Sequence, residues 1–212
     1  MTIEHLVTHS GGFHADEVFS SVILTRLYPS AKLVRSRSAQ WITAGPDRVI
    51  YDVGGAYDAA AGIFDHHQRG APLRPDGQPY SSFGLIWHHY GRAYLEASNV
   101  PAEDVETLHA AFDTSFVLPI DQVDNGAVSL SDARPLASMT LPGLIETLKP
   151  VFDSTDPAAE EAGFHLALSI ARSFTEARVA NSAAKCRAEA VVYQAILAAG
   201  SDRILELPMG MP

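Results

Sequence analysis

The sequence holds a single cysteine, Cys186, in 212 residues. That excludes an internal disulfide and any thiolate zinc cluster, and it fits a cytoplasmic protein. No stretch reaches the roughly 18 uninterrupted apolar residues needed to span a bilayer, so no membrane partner is expected. The opening MTIEHLVTHSGG lacks a basic region leading into an apolar run and does not read as a signal peptide. Positive charge is scarce, with 15 Lys and Arg against 25 Asp and Glu and a net charge of −10. Such a surface is ill suited to tight non-specific binding of duplex nucleic acid. A phosphate substrate is not excluded, because bound metal ions can supply positive charge locally. Aromatic residues are also few, at 8%. Core material is ample. With 47% hydrophobic and 19% charged residues the chain is too apolar for disorder, and its length allows one large domain or one domain with an appendage.

Residues 3–8 (IEHLVT) read as a short buried strand broken by Gly11-Gly12. Val18, Phe19, Val22, Ile23 and Leu27 recur at helical spacing, and Pro29 closes that helix. Further strands are expected at 31–35 and 48–53, and a short apolar step at 62–64. Strands alternating with helices imply an α/β fold with a mainly parallel, Rossmann-like sheet flanked by helices. The segment 70–79, with three prolines and two glycines, is a loop. Ser81-Ser82 cap a helix whose inner stripe is Phe83, Ile86, Trp87, Tyr90 and Tyr94. Pro101 opens another, with Val105, Leu108, Ala111 and Phe112 inward and Pro119 interrupting it. Residues 125–138 read as a polar connector. Asp156-Pro157 starts a long helix toward Gly200, with Ala162, Leu166, Ala167, Ile170, Ala171 and Phe174 inward. The expected division is 1–140 as the metal-binding α/β domain and 141–212 as a C-terminal helical extension.

Three groups of metal-ligand residue types directly follow expected strands: His9 with His14, Asp16 and Glu17; Asp52; and Asp65-His66-His67. In open α/β sheets, ligands bind beyond the carboxyl ends of the strands, where all three groups fall. Imidazoles and carboxylates without thiolates suit manganese, magnesium or iron, with zinc not excluded. Each group has a plainer reading. His9 can be an incidental loop residue, His14 and Asp16 can cap the first helix, and Asp52 can be a turn residue. His88 and His89, on the aromatic helix, read as structural or surface groups. The coincidence of three strand-end clusters with one ligand chemistry favours a site.

The segments HSGGFHADE, YDVGGAYD, FDHHQ, SSFGLIW and IDQVDNG stand in the order found in the MYG (melanocyte-proliferating-gene) family. This sequence resembles that family, which is related to the DHH phosphoesterases, a group that includes exonucleases, nano-RNases and family II inorganic pyrophosphatases. The resemblance runs through roughly residues 5–125 and more weakly beyond. It implies a DHH phosphoesterase-like fold with two Mn²⁺ or Mg²⁺ ions. His9, His14 and Asp16 match the first motif, here with a histidine as the middle ligand and one extra residue before it. Asp52 matches the aspartate that bridges both ions in relatives. His66 matches a metal ligand, His67 is placed to contact the substrate phosphate, and Asp65 orients its neighbours. The fourth-motif aspartate is Asp124 or its competitor Asp121, three residues away.

Arg69 is the first candidate for the substrate's non-bridging oxygens, with Arg35 and Arg37 behind it; each also reads as an ordinary exposed arginine. The implied activity is a metal-dependent phosphoesterase that cleaves phosphodiesters with a metal-activated water, exonuclease-like, on RNA or short oligonucleotides. A small-molecule phosphatase or pyrophosphatase, or a metal-binding scaffold without catalysis, stands as the alternative. Family members usually continue into a second lobe, so that lobe is expected to be absent or truncated in a chain ending ELPMGMP. Self-association is left open.

Overall fold

In the computed structural model, residues 2–201 and 204–210 are described. Five strands, β1 (His5–Thr8), β2 (Lys32–Arg35), β3 (Arg48–Tyr51), β4 (Tyr57–Asp58) and β5 (Ile63–Phe64), form one sheet in the order β2-β1-β3-β5-β4. Pairing is parallel throughout except between β4 and β5, which pair antiparallel. The fold is mixed α/β, as the alternation of strand and helix patterns implies. Seven α-helices accompany the sheet among the described residues: α1 (Ala15–Leu27), α2 (Ala39–Ile42), α3 (Ser82–Ala97), α4 (Val105–Phe112), α5 (Leu118–Asp124), α6 (Leu141–Thr147) and α7 (Ala159–Ala199). No helix among those residues is long and apolar enough to cross a membrane.

The order sets the site. The chain leaves β1 through α1 to β2 on one side, then returns through α2 to β3 on the other. The connections therefore diverge at β1/β3 and open a crevice beyond their carboxyl ends, which is where such sheets bind ligands. Helix α1 lies beneath that crevice and is buried from Ala15 through Leu24. A helix wrapped on every side can be apolar or small all round, as ADEVFSSVILTRL nearly is after its first turn. Its partners are α3 and the first half of α7, and Phe19, Phe83, Trp87, Phe116, Ile145 and Phe164 share one core with Leu6 and Val49 of the sheet. The opposite face is thinner: Val7, Ile50 and Val53 are covered by Trp41 and Ile42, on the four-residue α2.

Three expectations shift. Pro119 does not interrupt its helix. A π-helical segment, Asp113–Val117, widens the turn ahead of it, and the chain continues into α5. Pro119 has no N–H for the carbonyl of Ser115, and the Arg178 guanidinium on α7 donates to that oxygen at 3.2 Å. On α7 the buried stripe is Phe164, Ala167, Leu168, Ala171, Thr175, Val179 and Ala183, whereas Ala162, Leu166 and Phe174 are exposed. Of the expected stripe, Ala167 and Ala171 are fully buried and Ile170 is half-buried. The connector 125–138 also holds more structure than its composition indicates, since Leu130–Met139 is largely 3₁₀-helical with a break at Arg134.

Candidate metal centre

The ends of β1, β3 and β5 each deliver one group to the crevice. His9 follows β1 by one residue and is 3% exposed. Asp52 follows β3 and sits in the left-handed backbone region at φ 57°, ahead of Gly54 and Gly55, both also at positive φ. Aspartate tolerates that conformation better than most residues, and the turn ends the strand with the carboxylate aimed into the crevice. Asp65, His66 and His67 follow β5. Asp16 and Glu17 enter from the first turn of α1, where Glu17 accepts from the His14 backbone N–H at 2.8 Å and closes the helix start. Asp124 arrives from the last residue of α5.

These groups converge. His9 Nε2 lies 3.1 Å from Asp52 Oδ2 and 3.2 Å from Glu17 Oε1. His66 Nε2 lies 3.3 Å from Asp52 Oδ1, 3.4 Å from Asp124 Oδ2 and 3.9 Å from Asp16 Oδ2. His67 Nδ1 is 2.7 Å from Asp65 Oδ1 and 3.6 Å from Asp52 Oδ1. Exposed His14 joins His9 and Glu17 as a set close enough to share an ion; Asp52, His66 and His67 form a second, and Asp16, His66 and Asp124 a third. The centre opens into a cavity of about 600 Å³ lined by His9, His14, Asp52, His66, His67 and Asp124.

The electrostatics are those of crowded carboxylates. Burial and the neighbouring Asp52 push the Asp16 carboxyl up. Burial, then Asp16, raise Asp124 to about 8. Burial likewise lifts Glu17 to about 8, against the hydrogen bond from His9. Asp52 behaves oppositely: burial opposes its charge, but His66 and His9 hold it at about 2. Burial also works against a charged His9, yet Asp52 and Glu17 hold it up at about 10; burial is likewise outweighed at His66, held at about 9 by Asp52, Asp16 and Asp124. Metal-free, the centre balances its carboxylates with protons.

Whether cations suit these residues is decided by what the protein leaves unpaired. Asp16 Oδ1, Asp52 Oδ1 and His66 Nε2 are buried without a hydrogen-bond partner, and His66 Nε2 lies 3.3 Å from Asp52 Oδ1 and 3.9 Å from the other Asp16 oxygen, Oδ2. Buried polar atoms left without partners cost free energy, and three in one crevice fit a hard divalent cation with carboxylate and imidazole ligands. The donor set is compatible with divalent metal.

Not every candidate belongs here. Of the two competing aspartates, Asp124 reaches the crevice and Asp121 does not. The Asp121 oxygens are taken by Ser81 Oγ at 2.6 Å, the Gly84 N–H at 3.0 Å and the Arg74 guanidinium at 2.6 Å. Asp65 faces away from the ligand point: Oδ2 accepts from the Gly55 N–H and Oδ1 from the His66 and His67 N–H groups, so it shapes the loop. Arg69 is exposed and absent from the cavity wall, which Arg37 lines instead. Arg35 is buried under the site, bonded to the Gly11 carbonyl and stacked on Phe164. Sequence reasoning grouped Glu17 with the ligand-type residues but left it out of the ligand set, although HADE places it one helical turn from His14, and it read Ser82 only as a helix cap, although its Oγ donates to Asp16 at 2.8 Å. Pro142 and Glu146 of α6 also line the cavity, so the 141–212 segment supplies part of the wall.

The sequence model of the family described as "Uncharacterised protein family (UPF0160)", with the short name MYG1_exonuc, matches residues 5–212. Among curated proteins, a MYG1 protein of Schizosaccharomyces pombe is 37% identical over 161 residues, covering 70% of this chain and 49% of its own length. The MYG1 exonucleases of Bos taurus and Homo sapiens are each 33% identical, covering 78% and 77% of this chain and 46% of their own lengths. The chain thus spans about half the length of the curated relatives it matches. No solved structure matches it.

Proposed function

The chain belongs to the UPF0160 family, some of whose curated members are named MYG1 exonuclease, and we propose that it is a metal-dependent phosphoesterase that cleaves phosphodiester bonds in RNA or short oligonucleotides from an end. The observation that carries the reading is the convergence of Asp16, Asp52 and His66, each with a buried atom that has no hydrogen-bond partner, at the β1/β3 crevice. His9, His14, Asp16, Asp52, His66 and Asp124 would hold two Mn²⁺ or Mg²⁺ ions. Bound there, the ions supply Lewis acidity at a phosphoryl oxygen and lower the pKa of a water.

The protein's own groups do the rest. Asp52 presents one oxygen toward His9 and the other toward His66, so a single carboxylate serves both sides of the centre. Asp65 Oδ1 accepts a hydrogen bond from the His67 Nδ1–H, which leaves Nε2 of that ring free at the cavity rim, where the side chain is 62% exposed. A ring held this way meets a phosphate oxygen in fixed orientation, the usual effect of an outer carboxylate on a histidine. Arg37, hydrogen-bonded to the Ser10 carbonyl, offers a permanent cation at the cavity wall. A cavity of about 600 Å³ admits a nucleotide-sized group. We place this activity in the cytoplasm and the ligand set wholly within residues 1–140, with 141–212 as support.

A manganese-dependent screen of phosphate esters, from bis-nitrophenyl phosphate to short RNA, tests the reading. Diester turnover that EDTA abolishes and Mn²⁺ restores is the expected result. Metal uptake without turnover of any ester would make the chain a scaffold, and a preference for monoesters or pyrophosphate would make it a phosphatase.

A further inference from the structure

Arg74 sits in the Pro/Gly-rich loop as an apparent surface arginine, yet it is 7% exposed and grips two aspartates. Its guanidinium donates to Asp113 at 2.7 and 3.1 Å and to Asp121 at 2.6 and 3.0 Å, while stacking on Tyr80 at 4.6 Å. Asp113 opens the π-helical segment and Asp121 lies beyond it on α5. In an unbroken α-helix, residues eight apart diverge by about 80° around the axis. The extra residue absorbed by a π turn removes about 100° of that rotation, so both carboxylates come to within about 20° of one face. One guanidinium can then reach both. The same insertion rotates everything downstream, including Asp124, which ends α5 inside the crevice.

The far side of Asp121 is fixed as tightly. Ser81 Oγ and the Gly84 N–H both donate to Asp121 Oδ1, and a Cβ at position 84 would collide with that carboxylate. The adjoining Ser82 donates through Oγ and N–H to Asp16 Oδ2. The start of α3 therefore holds, through neighbouring serines, the aspartate of α1 that faces the crevice and the aspartate that anchors α5.

We infer that Arg74 is a positioning residue for the metal centre: by clamping Asp113 and Asp121 across the π turn, it sets the rotation of α5 that delivers Asp124 to His66. This rests on the metal reading above. Arg74 does not line the cavity, so its influence on the centre passes through α5 and Asp124 rather than by direct contact.

A double-mutant cycle tests this. Mn²⁺ affinities of the wild type, Arg74→Gln, Asp124→Asn and the double variant are measured by calorimetry, at a temperature where circular dichroism shows each folded. Arg74→Gln is expected to weaken one Mn²⁺ equivalent by about 10- to 100-fold, the range for outer residues that orient ligands, and to leave the other unchanged. The double variant is expected to bind no more weakly than Asp124→Asn alone. If Arg74→Gln does not fold, Arg74→Lys and Asp113→Asn carry the same cycle. Unchanged Mn²⁺ affinities with a lowered melting temperature, or losses that simply add, would overturn the inference and leave Arg74 purely structural. A wild type that takes up no Mn²⁺ overturns the metal reading itself, and the inference with it.

Discussion

Around Arg74, ionic groups face one another with each oxygen and nitrogen in a hydrogen bond: buried Asp121, half-buried Asp113, one buried guanidinium, a serine hydroxyl and a glycine N–H. Across the first turn of α3, buried Asp16, Glu17 and Asp52 gather with Asp124 around two histidines, and three atoms have no partner. Both clusters draw on the same side-chain types at similar depth. A closed network needs nothing further and acts as a joint. An open one, with Asp16, Glu17 and Asp124 pushed up by burial and by neighbouring carboxylates, has room for cations. Buried charge alone does not mark a functional site, whereas buried charge left unsatisfied does.

The largest contrast lies within the open cluster. Asp52→Asn is expected to lower diester turnover more than a hundredfold at saturating Mn²⁺, beyond the loss usual for outer residues, while the fold survives because asparagine also accepts the left-handed backbone. Asp65→Asn, on a carboxylate committed to loop N–H groups and to His67, is expected to cost about tenfold. Turnover of the two variants side by side checks the ranking. Near-normal activity in Asp52→Asn would remove that residue from the centre.

Stability separates the clusters next. Arg74→Met strands two carboxylates, one fully buried, and is expected to destabilise the protein by about 3–5 kcal/mol, as breaking one side of a buried pair does. Asp124→Asn should do the reverse in metal-free protein. The folded-state pKa of Asp124 lies near 8, above the ordinary carboxylate value. Keeping that group folded therefore costs progressively more as pH rises toward 8, and an amide removes the cost. Melting in EDTA at pH 6 and pH 8.5 is expected to show Asp124→Asn gaining on wild type at the higher pH. A loss at both would show that the carboxylate is satisfied without metal.

The open cluster was largely legible in the sequence because His9, Asp52 and His66 directly follow strands, while Asp16 and Glu17 open the helix after β1. His9, Asp52 and the Asp65–His67 run sit there by chain position, and a parallel sheet sends successive strand ends to one edge. The closed cluster was not legible. Arg74 lies in a loop whose prolines and glycines suggest solvent, and nothing local to residues 113–117 encodes a π turn, which depends on Pro119 downstream and on Arg178 from α7. That is also why Asp121 and Asp124 could not be told apart, since their facing depends on the added residue. On α7 the alternation of alanines and larger residues leaves the buried face ambiguous. Tertiary contact selected Phe164 and Leu168 over Leu166 and Phe174.

The smallest expected effect concerns the arginines at the rim. Arg37→Ala is expected to raise KM for a diester by about tenfold or less, the scale for a solvent-screened charge, with kcat nearly unchanged. Arg69→Ala is expected to change neither, and steady-state kinetics of the pair distinguishes a cavity arginine from a surface one. A larger effect at Arg69 would mean that substrate runs along the Gly70 side of the crevice.

The most direct test of the open cluster is anomalous scattering at the manganese edge from Mn²⁺-soaked crystals. Two peaks within about 4 Å of each other, the spacing of two-metal hydrolases, bounded by His9, Asp16, Asp52, His66 and Asp124, are the expected result. Manganese bound elsewhere, at the Glu4–His5–Asp47 cluster for example, with the crevice unchanged at saturating metal, would contradict the account.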